Sequence, residues 1–149
     1  MTTKRKLLQL WILLITSSTI FPNVTVTLDD VAVNGYTEDI IVPVTLTNPT
    51  QTVGGFQFDL IALPNLVTLF GVTPLDEDNY SSDFNILDDG SSRIVFYSNT
   101  SDGLNVGGND VVLNLHFNGE NILSALIDLY AYDLTVSDED GNLISGELI

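Results

Sequence analysis

The residues best suited to chemistry in this chain are its carboxylates, and their spacing suggests metal binding before catalysis. Asp138, Asp140 and Asn142 offer oxygens at alternate positions, as a calcium loop does. A twelve-residue calcium loop also needs Gly at its sixth position and a bidentate Glu at its twelfth. Leu143 and Ile149 stand there instead. The expected role of this stretch is therefore a solvated hairpin turn. Calcium at Asp138, Asp140 and Asn142 is the one cofactor candidate, and otherwise no cofactor is expected. Asp76-Glu77-Asp78 is a second acidic cluster, expected at a solvated loop tip. Two facing carboxylates can hydrolyse glycosides, but among 20 acidic residues some pair always meets that spacing. His116 is the only histidine, and no G-x-S-x-G elbow accompanies it for a nucleophilic triad. Gly103, Gly107 and Gly108 lack the following Lys and helix of a phosphate cradle. Tyr80, Tyr97, Tyr130 and Tyr132 are candidates for a sugar-stacking platform, although the only Trp, Trp11, lies in the N-terminal segment. No constellation supports an enzyme.

Charge narrows the partners further. There are 20 acidic residues against 4 basic ones, for a net charge of −16. Lys4, Arg5 and Lys6 are three of the four, so Arg93 is the only Lys or Arg after them. Such a surface repels phosphate backbones and anionic headgroups, which excludes nucleic acid as a partner. Cysteine is absent, which removes disulfides, thiolate nucleophiles and Cys-type metal sites.

The elements that must position these groups read as strands. Residues 4–6 form a basic n-region and 7–15 (LLQLWILLI) an apolar h-region, with small polar residues at 16–19. That order predicts a secretory signal peptide over 1–21, cut after Ser18 or slightly later. The apolar run is shorter than the ~20 residues a spanning helix needs. A membrane would be touched only through this segment, if it were uncleaved. The remainder, 22–149, is expected to be a single domain. At 53–60, Phe56, Phe58 and Leu60 alternate with Gln57 and Asp59, and Gly54-Gly55 before them mark a close backbone approach or a bulge. Pro64 ends that strand, and 66–72 supplies the next.

Further strands are expected at 24–33, 40–47, 83–87, 93–99, 111–117, 123–136 and 143–149, joined by turns such as Asn34-Gly35 and Asp88-Asp89-Gly90-Ser91. Pro43 implies an edge strand or a bulge at 40–47. The odd positions 111, 113, 115 and 117 are the expected inward set of their strand. About nine strands without an interior helix predict an all-β fold, two antiparallel sheets packed as a sandwich.

Several stretches carry a resemblance at this point. VPVTLTN at 42–48, VGGFQFDL at 53–60 and LPNLVTLFGVTP at 63–74 are followed by RIVFYSNTSDG at 93–103, VVLNLHF at 111–117 and SDEDGN at 137–142. In order and spacing the series resembles the cohesin domain family. The resemblance implies a nine-stranded jelly-roll sandwich, related in fold to carbohydrate-binding modules. It implies a secreted or cell-surface, non-catalytic module that docks a dockerin-type protein partner in polysaccharide-degrading assemblies. A polysaccharide ligand, or a structural surface role without a soluble ligand, is the alternative. The docking face implied is a flat sheet that includes Gln57 and Asp59 and reaches Tyr97 and Thr100. This chain departs from the family pattern at four places. Gly55 and Gln57 stand where dockerin-binding members often carry outward Asn and Asp. Ala62-Leu63-Pro64 replaces Tyr-Asp-Pro, and Thr100 replaces an acidic residue.

Overall fold

Alternation along the strands decides which side chains meet in the middle of this protein. The computed structural model describes residues 24–31, 39–48, 50–104, 108–119 and 127–149. The expected signal segment and the Asn34-Gly35 turn lie outside the described residues. Among the described residues ten strands form two five-stranded sheets. They are β1 (Val24–Leu28), β2 (Ile40–Thr47), β3 (Gly55–Leu63), β4 (Val67–Pro74), β5 (Tyr80–Ile86), β6 (Ser92–Ser98), β7 (Asn109–Gly119), β8 (Asp128–Ser137), β9 (Leu143–Ile144) and β10 (Gly146–Leu148). One sheet runs β10-β1-β2-β7-β4 and the other β5-β6-β3-β8-β9. The expected sandwich is the observed one. The inward rows interlock: Val42, Val44, Leu46, Leu113 and Leu115 from one sheet face Phe56, Phe58, Leu60, Ile94 and Phe96 from the other, all buried. Phe56 stacks on Phe96 with ring centroids 4.9 Å apart, and Tyr80 also stacks on Phe96, at 5.4 Å.

Four expectations are corrected. The last strand is not one strand: Leu143 and Ile144 pair with β8, and Gly146 to Leu148 cross to the other sheet and run parallel to β1. The sheets are therefore not wholly antiparallel. Gly146 permits the crossing, since a Cβ there would press into the Val136 side chain. The strand expected at 24–33 ends at Leu28: the Asp29 N–H still donates to the carbonyl of Pro43 opposite it, but Pro43 has no N–H to return the bond. Of the two readings of Pro43 the bulge is the one observed: β2 lies between β1 and β7 and is no edge, and its register shifts at Val44/Thr45 beside the proline. That shift upsets the parity of β7. Leu113, Leu115 and Phe117 point inward as expected, but Val112 is buried and Val111 is only half-buried, opposite Thr45.

The glycines before β3 do bring backbones together. The Gly54 N–H donates to the Ser137 carbonyl and its own carbonyl accepts from Ser98 N–H, so β3 is clamped from both sides. A Cβ on Gly54 would collide with the Asp138 carbonyl. The Asp88–Ser91 hairpin forms as its residues predict, with Gly90 at φ 85° and the Leu87 N–H donating to the Ser91 carbonyl.

Candidate functional site

The inward Phe row of β3 fixes the opposite parity, so Gly55, Gln57 and Asp59 face outward at the centre of their sheet. Pairing with the neighbouring strands extends them into three rows. Ser81, Tyr97, Gly55 and Ser137 form the first; Asp83, Val95, Gln57 and Thr135 the second; Asn85, Arg93, Asp59 and Tyr132 the third. Each row crosses β5, β6, β3 and β8 in turn.

The third row is held by charge. The Arg93 guanidinium donates through Nε to Asp59 Oδ1 and through Nη2 to Oδ2, both at 2.7 Å. This bidentate geometry is the strong form of the pair. The hydrogen bond to Asp59 and its negative charge raise the Arg93 pKa, and the nearby Asp133 carboxylate adds to the effect. Asp133 is placed there by a bulge, at φ 53°, where β8 shifts register against β3.

The first row holds a gap. Gly55 has no side chain, and around it Tyr97, Gln57, Val95, Thr135 and Ser137 line a shallow depression of about 250 Å³. Gly55 is held to that size from below, since a Cβ would come within 2.7 Å of the Phe96 carbonyl oxygen. Tyr97 stands beside the gap, 47% exposed. A face of this kind, flat and polar with two exposed aromatics, Tyr97 and Tyr130, and an open seat beside the first, is suited to docking another surface.

Of the four residues expected on this face, the structure brings Gln57, Asp59 and Tyr97 together. Thr100 lies two residues beyond β6, exposed at the rim, with Oγ1 3.1 Å from the Ser98 hydroxyl. Asp59 is only 4% exposed, with both oxygens taken by Arg93, so what it presents to a partner is the guanidinium above it. Arg93, Val95, Thr135 and Ser137 were missed from sequence. Parity along 93–97 held the signal for the first two, once β6 is known to lie beside β3.

The other candidates sit elsewhere. The Asp138 carboxylate closes its own turn: Oδ1 accepts from the Asp140 and Asn142 backbone N–H groups, and the Asn142 amide donates to both oxygens. These bonds, chiefly the Asn142 side chain's, pull the Asp138 pKa below the ordinary carboxylate value. An amide donor thus points where a cation would have to sit. Among the described residues no group of three or more His, Asp or Glu is gathered as a metal cage. The four tyrosines form no single platform. Tyr80 packs on Phe96, and Tyr97 and Tyr130 lie opposite Gly55 and Ile61, six residues apart along β3. His116 is on the other sheet, outward by parity and half-buried, with Nδ1 3.1 Å from Asp39 Oδ1.

The cohesin domain model matches residues 24–143 of the chain. This protein belongs to the cohesin domain family. No curated protein sequence matches it significantly, and its relatives are found among solved structures. CaCohA2 in its complex with CaDoc0917 is similar over 85% of this chain and 95% of that one, at 24% identity and TM-score 0.69; CaCohA2 is from Clostridium acetobutylicum. A non-cellulosomal cohesin of the archaeon Archaeoglobus fulgidus is 21% identical, covering 85% of this chain and 86% of its own, with TM-score 0.65. The cohesin of a Clostridium thermocellum type I cohesin–dockerin complex, Coh-OlpC-Doc435, is 16% identical over 85% and 89%, with TM-score 0.65. At these identities the shared property is the fold.

Proposed function

We propose that this cohesin domain is a non-catalytic docking module. Its ligand is a dockerin-type protein module, received on the outer face of the β5-β6-β3-β8-β9 sheet. The setting proposed is a secreted or cell-surface assembly linked to polysaccharide degradation. One observation carries the reading: the open seat at Gly55, walled by Tyr97, Gln57, Thr135 and Ser137 on an otherwise flat face. Five strands at ~4.8 Å spacing give a sheet about 20–25 Å across, the scale of one side of a standard protein interface. Tyr97 is the aromatic anchor, Gln57 and Thr135 supply polar contacts, and Arg93 presents the N–H groups left over from Asp59. Asp59 and Thr100 contribute as support and rim.

The test is isothermal titration with dockerin modules, CaDoc0917 and Doc435 among them, loaded with calcium. Gln57→Arg puts a bulky charge across the second row and is expected to weaken binding at least tenfold with the melting temperature unchanged. Unchanged affinity in Gln57→Arg and Tyr97→Ala would remove this face from the proposal.

A further inference from the structure

The outer face of the β10-β1-β2-β7-β4 sheet differs from the rest of the surface in charge. The chain carries 20 acidic residues, yet the outward groups at the centre of β2, β7 and β4 are Ile41, Asn114, His116, Asn118, Thr68 and Phe70. None is an acid or a Lys or Arg. Asp39 touches this set at its rim and is bound to His116. A second carboxylate, Asp29, reaches this side at Thr45, and the set itself carries none. A second copy would bring another net charge of −16 against this one, a repulsion that an area of a few hundred Å² does little to offset. What this face admits at no electrostatic cost is a neutral ligand.

The groups themselves say which kind. Phe70 sits at the register shift of edge strand β4 and is 52% exposed. Its ring centroid is 6.0 Å from that of His116, tilted by 55°. Asn114 and Asn118 stand two residues to either side of His116 on the same face of β7, about 7 Å away each. Thr68 pairs with Asn118 across the β4–β7 ladder.

His116 Nδ1 lies 3.1 Å from the Asp39 carboxylate, which leaves Nε2 as the ring nitrogen not committed to it. That Nε2 is the one buried side-chain polar atom among the described residues with no hydrogen-bond partner. Such an atom in a native fold calls for an explanation. Phe70, half-exposed beside the imidazole, is the side chain that would have to shift for a ligand hydroxyl to reach it. An aromatic plane bordered by two amides, a threonine hydroxyl and an unpartnered imidazole nitrogen, with one carboxylate, Asp39, only at the rim, matches a sugar. Its C–H face packs on the ring and its hydroxyls meet the polar border.

We infer that this second face is a seat for a neutral polysaccharide chain. Phe70 stacks a sugar ring, and His116 Nε2, Asn114 and Asn118 take its hydroxyls. The site is separate from the docking face, on the opposite sheet, and stands or falls independently of it. The test is affinity electrophoresis of the full chain in gels cast with xylan, mannan, amylose or hydroxyethyl cellulose, with pull-down on microcrystalline cellulose and polygalacturonate as an anionic control. Retention by at least one neutral polysaccharide is expected, insensitive to salt between 0.05 and 0.5 M. Phe70→Ala and Asn118→Asp should each weaken it about tenfold, and Tyr97→Ala should leave it unchanged. Should Phe70→Ala fail to fold, Asn118→Asp, at an exposed position, decides alone. No retention on any neutral polysaccharide overturns the inference, as does retention that survives both Phe70→Ala and Asn118→Asp. A dimer in sedimentation that Phe70→Ala dissolves also overturns it, by giving the face to a second copy.

Discussion

The Asp59 carboxylate points out of its sheet, as alternation along β3 demands, and is nevertheless almost inaccessible because Arg93 chelates it. A buried carboxylate that loses its partner keeps the desolvation penalty and loses the compensation. Arg93→Ala should therefore lower the melting temperature by about 5–10 °C, measured by calorimetry. The double variant Asp59→Leu/Arg93→Met should recover most of that loss, since it removes the charge together with its need for a partner. Asp138 gives a residue-scale prediction in pH. Its folded pKa lies below the unfolded carboxylate value of about 3.9. The stabilisation from its turn is therefore complete above that value and is lost as pH falls through the folded pKa. A carboxyl NMR titration should place its midpoint below about 3.9, and Asn142→Ala should move the midpoint upward. A midpoint unmoved by Asn142→Ala would show that the side-chain amide is not what holds the charge.

At the scale of elements, most of the core was legible and most of the docking face was not, for a physical reason. Period-two alternation is carried by the residues themselves, so the inward set Phe56, Phe58 and Leu60 is read directly from their order. Which strand lies beside β3 is settled by long-range pairing, and nothing local in 93–97 or 135–137 says that Val95, Thr135 and Ser137 meet Gln57 and Gly55. Bulges hide parity further. On β8 the extra residue at Asp133 puts Tyr130 and Tyr132 outward on one side of it and Thr135 and Ser137 outward on the other. No Gly or Pro marks that site. The Gly54-Gly55 pair was legible because close backbone approach is a property of glycine. Gly54→Ala tests that reading: its methyl must displace the Asp138 turn, at a cost of about 1–3 kcal/mol in urea unfolding. Phe58→Ala, which empties a fully buried ring site four residues further along, should cost more, about 3–5 kcal/mol. A smaller loss for Phe58→Ala than for Gly54→Ala would mean that the clamp at the strand's start, and not the row between the sheets, limits stability.

For the whole molecule the governing quantity is a net charge of −16 on 149 residues. Among the described residues the single Lys or Arg, Arg93, is already committed to Asp59, so most carboxylates repel one another through solvent. Folding draws them together, and salt relieves the cost by shortening the Debye length to ~10 Å at 0.1 M and ~3 Å at 1 M. The melting temperature should thus rise with sodium chloride from 0.01 to 0.5 M. Calcium makes this rise diagnostic. A divalent cation screens more strongly than sodium, so calcium and magnesium must be compared at matched ionic strength, where general screening treats them nearly alike. A specific oxygen cage would instead favour calcium, which accepts more and longer-range ligands than magnesium. At the one turn where such a cage was a candidate, the Asn142 amide donates into the Asp138 carboxylate and would have to be expelled first. Superimposable calcium and magnesium curves are therefore expected, and Asp138→Asn should shift both equally. A calcium curve that rises above the magnesium one and saturates at low millimolar concentration, with the excess abolished by Asp138→Asn, would mean that the ion displaces Asn142 and that the turn is a calcium site after all.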